Sequence, residues 1–170
     1  MPVVWSCDAF VLNESISKWD VSACRDLSWA FSGAYQFNDD LNKWDVSGVK
    51  DFSYTFFRAF GFDGDINDWN VSSTLNMAGT FQDSVFTGNI SSWNVENVWN
   101  FVESFRGTSY NGDLRAWDLR NASTLRFMFA DTTAFDGNIS VWKVSGVLDM
   151  HGMCCKTLVP FKARAWTSGT

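Results

Sequence analysis

Hydrophobic and polar positions recur along this chain with a period of 24 or 25 residues. Trp19, Trp44, Trp69, Trp93, Trp117 and Trp142 set the period, and Trp166 follows the last of them. Three residues before each of the six stands an aliphatic side chain (Ile16, Leu41, Ile66, Ile90, Leu114, Ile139), and two after stands another (Val21, Val46, Val71, Val95, Leu119, Val144). Eight after comes Leu27, Phe52, Met77, Phe101, Leu125 or Met150, and twelve after comes Phe31, Phe56, Phe81, Phe105, Phe129 and finally Cys154. A further aromatic leads into the next unit: Phe37, Phe62, Phe86, Tyr110, Phe135. Trp and the aliphatic two places on, with a polar residue between them, have the period of a short half-buried strand. Positions five, eight and twelve after Trp, such as Val49, Phe52 and Phe56, fall on one helical face. Each unit is therefore predicted to hold a short strand, a turn, and one or two turns of helix. The Asp-Gly or Asn-Gly pairs before the next strand supply the remaining turn.

One such unit buries too little surface to stand alone, and stacking units gives a shared core. The expected architecture is an α/β repeat solenoid, with short parallel strands on one face and short helices or turns on the other. Residues 1–170 read as a single array of about six repeats, spanning roughly 10–157, with partial units at both ends; Ala9 and Leu12 keep the register of the first partial unit. The tryptophan column, Trp19 to Trp142, is the predicted core.

The segments "NKWDVSGVKDFSYTF" and "SVWKVSGVLDMHGM" resemble the W-D-V-S-x-V-x-x-M-x-x-M-F repeat of mycoplasma surface lipoproteins. That repeat is also frequent in marine bacteria and some unicellular algae, and is similar to Bacteroides-surface-protein-type leucine-rich repeats. The resemblance implies the leucine-rich-repeat superfamily, a right-handed solenoid, and a place at the cell surface or outside the cell; an organellar or intracellular assembly stays open. It implies no assigned activity. Unit five departs from the motif at Leu119-Arg120, and unit six at Cys154.

Charge narrows the choice of partner. Residues 1–100 carry 13 acids against 5 bases, and residues 101–170 carry 6 against 8, for a net −6 overall. The acidic part would repel nucleic acid and anionic membrane, so neither is expected as a partner. No apolar run is long enough for a membrane-spanning helix, and "MPVVWSCDAF" lacks the basic and apolar regions of a secretory leader.

Candidate chemistry is sparse. If Trp and Val face inward, the residue between them faces out, which makes Asp20, Asp45, Asn70, Asn94, Asp118 and Lys143 a polar ladder and the candidate partner-binding face. A second ladder, Asp26, Asp51, Asn76, Asn100, Thr124 and Asp149, has the chemistry to cap backbone N–H groups. "DGDIND" resembles the start of a calcium loop. Counted from Asp63, however, the sixth position is Asp68 rather than Gly, and the twelfth is Thr74 rather than Glu. Sister units keep the turn residues and lose the carboxylates. Asn13, Asn70, Asn89, Asn121 and Asn138 begin N-x-Ser/Thr sequons, most of them by-products of the repeat.

His151 is the single histidine, and Cys24 and Cys154 fall in core columns, as buried cysteines do. No catalytic residue, cofactor or metal site is expected. The reading is a non-catalytic protein–protein interaction or scaffolding module acting through the strand-side polar face. One alternative is an accessory structural subunit of a larger, possibly membrane-associated assembly, held through the solenoid ends. Another is a carbohydrate- or calcium-binding surface module.

Overall fold

The computed structural model describes residues 15–157. Ala9, Leu12, Asn13, Cys7 and Trp166 lie outside them. Six coils, each starting near one of the six tryptophans, stack so that equivalent residues of neighbouring units lie side by side.

The expected mixture of helices and strands is overturned. Among the described residues there is no α-helix, and the sheet is reduced to single parallel bridges running Asp26–Asp51–Asn76–Asn100–Thr124–Asp149. The segment read as a helix is a run of successive turns, and its hydrogen bonds show why. In the first coil Ala30, Ser32 and Ala34 donate their N–H groups back three residues, to Leu27, Trp29 and Phe31. Leu27, Trp29, Phe31 and Gly33 donate instead to the next coil, to the carbonyls of Asp51, Ser53, Thr55 and Phe57 at 2.7–3.0 Å. Half the N–H groups are thus committed along the stack, and an i→i−4 helix would need all of them.

The backbone bends to allow this at two fixed columns. Ten residues after Trp, φ is positive at Trp29, Tyr54, Gly79, Glu103, Phe127 and Gly152; fourteen after, it is positive at Gly33, Arg58, Asp83, Gly107, Asp131 and Lys156. A positive φ at the third residue of a turn has the form of a type II turn. It also interrupts any right-handed helix every fourth residue.

The core is aromatic and continuous. Phe31, Phe56, Phe81, Phe105 and Phe129 stack coil on coil with centroids 5.4–5.6 Å apart. Phe37, Phe62, Phe86 and Tyr110 form a second stack at 5.8–6.3 Å, and each meets its partner of the first stack within 4.1–4.8 Å. Each fully buried ring contributes about 1.5–3 kcal/mol before ordering costs.

Trp44, Trp69, Trp93, Trp117 and Trp142 are buried, as the period predicted, and their indole shows why the column is Trp rather than Phe. Each Nε1–H donates to the carbonyl of the aliphatic residue one coil back: Ile16, Leu41, Ile66, Ile90 and Leu114, at 2.8–3.3 Å. The first of the column departs from that reading, since Trp19 is 44% exposed. Buried hydroxyls do the same work elsewhere: Thr55, Thr80 and Ser104 each bridge a carbonyl of their own coil and one of the coil before.

The one-residue difference between 24- and 25-residue units lies at a single corner. Coils one and two place two residues between the small residue that ends the turn run and the stacked aromatic (Tyr35-Gln36, Phe60-Gly61), and coils three and four place one (Val85, Ser109). Both aromatic stacks pass this corner without a break. No helix of the described residues is long and apolar enough to cross a membrane.

Candidate interaction surface

The predicted polar ladder does reach the surface. Asp20, Asp45, Asn70, Asn94 and Lys143 are exposed and Asp118 is half-buried. Its side chains already have a structural task, however. Oδ1 of Asp20, Asp45, Asn70, Asn94 and Asp118 accepts the N–H two residues on, from Ser22, Ser47, Ser72, Glu96 and Arg120, at 3.0–3.1 Å. These Asx turns end the tryptophan segment and leave the second carboxylate oxygen of Asp20 and Asp45 unengaged. Hydrogen bonds from Ser22 and Ser47 hold the Asp20 and Asp45 carboxyls below the ordinary carboxylate range. Asp118 is lowered chiefly by its hydrogen bond from the Arg120 guanidinium.

The second ladder caps backbone. Asp26, Asp51, Asn76, Asn100 and Asp149 accept the N–H two residues on through Oδ1, and Thr124 does so through Oγ1. Asp63, the first residue of the calcium-like loop, accepts from the N–H and hydroxyl of Thr87 in the next coil. It ties coils together, and among the described residues no group of three or more His, Cys, Asp or Glu is placed to hold a metal ion. Cys24 and Cys154 pack against the core, and burial pushes the Cys154 thiol up to about 11, so it stays protonated near neutral pH. Asn121 of the sequons donates its Nδ2 to the Glu96 carbonyl.

A different surface was not visible in the repeat pattern. On the first two coils the positive-φ column carries Trp29 and Tyr54, whose rings stack at 4.3 Å. Phe57 meets both edge-on at 5.8 and 5.9 Å, and the Arg58 guanidinium lies 4.9 Å from the Phe57 ring. Trp29 is 46% exposed. Close by in sequence, Tyr35 and Phe60 stack at 5.4 Å, both about half exposed. Bulky residues are strained in the left-handed region, by about 1–2 kcal/mol each. The equivalent positions Gly79 and Gly152 show that the backbone alone asks for glycine there. A Cβ on Gly79 would meet the Tyr54 ring at 2.3 Å, so that glycine also makes room for the ring above it.

From the fourth coil on, charged side chains and ion pairs cross this surface. Arg106 bridges Glu103 at 2.8 Å and Asp131 at 3.1 Å, and Arg126 approaches Asp149 at 3.6 Å. Arg106 and Arg126 both lie over the Phe127 ring. The join between the two zones is Arg58–Asp83, at 3.6 Å.

Compared with known proteins, residues 3–85 and 76–165 match the family described as "Mycoplasma protein of unknown function, DUF285". The match supports the mycoplasma-type repeat read from the sequence and does not extend to leucine-rich repeats. No curated protein and no solved structure matches the chain.

Proposed function

This chain belongs to the DUF285 family of mycoplasma-type repeat proteins, and from that premise we propose that it is a non-catalytic protein-interaction or scaffolding module. The observation that carries the reading is the surface cluster of exposed Trp29 and Arg58 with half-buried Tyr54 and Phe57. Trp, Tyr and Arg are the residues that dominate interface energetics, and exposed aromatic clusters mark contact surfaces. Strained bulky residues, kept at solvent-facing positions where sister coils have glycine, add to it. The polar ladder from Asp20 to Lys143 is the second contact surface of this reading. A cell-surface or extracellular setting accords with the resemblance to mycoplasma surface proteins.

The test is gentle native purification from the source, followed by native mass spectrometry. A stoichiometric partner is expected to stay bound at moderate salt and to be released by Trp29→Gly combined with Phe57→Ser. Release by Asp45→Lys, Asn70→Lys and Asn94→Lys instead would move the contact to the polar ladder. A lone, monodisperse chain, with and without cross-linker, would overturn the proposal.

A further inference from the structure

Coil one and coil six carry unpaired backbone groups in matching columns. At each of the five joints between coils, the N–H groups eight, ten, twelve and fourteen residues after Trp donate to carbonyls seven, nine, eleven and thirteen residues after the next Trp. The N–H six after Trp returns one bond to the coil before, as Lys50 does to Arg25. Coil one has no coil before it among the described residues. The carbonyls of Asp26, Ser28, Ala30 and Ser32 accept no hydrogen bond there, and the Arg25 N–H donates none. On coil six the N–H groups of Met150, Gly152, Cys154 and Lys156 are unpaired, and so is the Leu148 carbonyl. Each group left open on one coil is therefore of the kind that the other lacks, in the column where an inner joint would pair them.

Side chains and charge agree with the backbone. Val144, Val147, Met150 and Cys154 of coil six are half-buried, whereas Leu119, Ala122, Leu125 and Phe129 in the same columns one coil back are at most 1% exposed. Leu148 is 89% exposed, against 42% for Leu75 in its column. Residues 1–100 carry a net −8 and residues 101–170 a net +2, so unlike ends attract. Lys143, in coil six, is the one cation of the outward polar ladder. Asp20, the ladder's member in coil one, uses a single carboxylate oxygen for its bonds to Ser22 and keeps the other unengaged.

Going beyond the ridge reading, we propose that the chain associates head to tail with a second copy of itself, coil six of one against coil one of the next. In that register the four open N–H groups of coil six donate to the four open carbonyls of coil one, and the Arg25 N–H of the second copy returns the bond to Leu148. The joint repeats the alternation found five times inside the chain, covers Leu148, and sets Lys143 beside Asp20. Contact between two first coils would face carbonyl against carbonyl, and contact between two sixth coils N–H against N–H, so the matching selects the heterologous arrangement. Open backbone edges are templates for another chain, and a heterologous contact that does not close into a ring grows into filaments.

The test is disulfide trapping of the purified full chain carrying both Asp20→Cys and Lys143→Cys. Neighbouring coils joined by parallel bridges stand about 4.8 Å apart, within reach of a disulfide. Within one chain the two positions are five joints apart, roughly 24 Å, and cannot bridge. Mild oxidation should give dimers and longer species in which peptide mass spectrometry finds position 20 joined to position 143. No linked species, or bridges only between like positions, would overturn the proposal. Hydrogen exchange on the unsubstituted chain is the second measurement. The amides of Met150, Gly152, Cys154 and Lys156 should exchange at least about tenfold more slowly at high than at low protein concentration. Exchange that is slow at every concentration would mean that the chain covers its own edge, and exchange that is fast at every concentration that water does; either overturns the proposal. Because only the purified chain is measured, a negative result leaves the native-partner reading standing.

Discussion

Coils one and two and coils four to six use the same backbone to build different surfaces. Both place residues of positive φ ten and fourteen positions after the tryptophan, and both bind the next coil through the same alternate N–H groups. On the first pair those columns carry Trp29, Tyr54 and Arg58; on the later coils they carry Glu103, Gly107, Phe127 and Asp131. The later zone closes on itself, since Arg106 takes both Glu103 and Asp131. The earlier zone presents stacked rings instead, with the Arg58–Asp83 pair at its margin. The backbone is therefore fixed by the ladder and core beneath it, which frees the surface chemistry to differ from coil to coil.

The sharpest way to break this comparison is to attack what the two zones share. Phe56→Ala and Phe105→Ala empty the same core column in each zone, and each should cost about 3–5 kcal/mol in chemical denaturation. Unequal losses would mean that the zones differ in depth as well as at the surface. Next, Trp69→Phe and Trp117→Phe keep a ring but take one of two hydrogen bonds from the carbonyls of Leu41 and Ile90, which still accept from the Trp44 and Trp93 N–H groups; about 0.5–1.5 kcal/mol is expected from each.

Smaller effects should separate the zones. Arg106→Ala breaks two partly exposed pairs, and should lose about 0.5–1 kcal/mol, shrinking as salt is added. Tyr54→Gly trades a stacking contact against relief of backbone strain, and should leave the melting temperature nearly unchanged, within about 1 kcal/mol of stability. A large loss there would make the ring stack a structural element rather than a surface kept for binding.

The least effect is expected from pH. Asp113 is held down to about 2, first by its side-chain hydrogen bond from Arg115 and then by the Arg115 N–H. A carboxylate with a lowered folded-state pKa stabilises the fold above its unfolded value near 4, and that stabilisation fades as pH falls toward about 2. Melting curves across that window should flatten in Asp113→Asn.

The inward columns were legible in the sequence because they recur in every unit. Phe56, Phe81 and Phe105 could be aligned by counting, and the burial of Trp44 through Trp142 followed. The helix was misread because spacings of five, eight and twelve suit a helical face and a turn run alike. Hydrophobic period alone does not report where an N–H points. A signal was present in Gly33, Gly79, Gly107 and Gly152, which fall in just two columns. Trp29, Tyr54, Arg58 and Asp131 in those same columns concealed it, because nothing in their chemistry advertises a left-handed backbone. The outward orientation of Asp20 and Asp45 was readable, whereas the Asx turns in which they accept the Ser22 and Ser47 N–H groups leave no mark on the hydrophobic period. The ring ridge escaped notice for the opposite reason to the core: it occurs in two coils and does not repeat.

The corner between the turn run and the stacked aromatic offers a practical consequence. Natural units already differ there by one residue, at Val85 and Ser109 against Phe60-Gly61, while the rings on either side keep their spacing. Length is absorbed locally instead of being passed down the stack as a shift in register. A fluorophore attachment site or a short epitope grafted after Ser109 would therefore sit like a bead on a rigid rod, at a known height along it. Several such grafts would turn the protein into a molecular ruler graduated in coils.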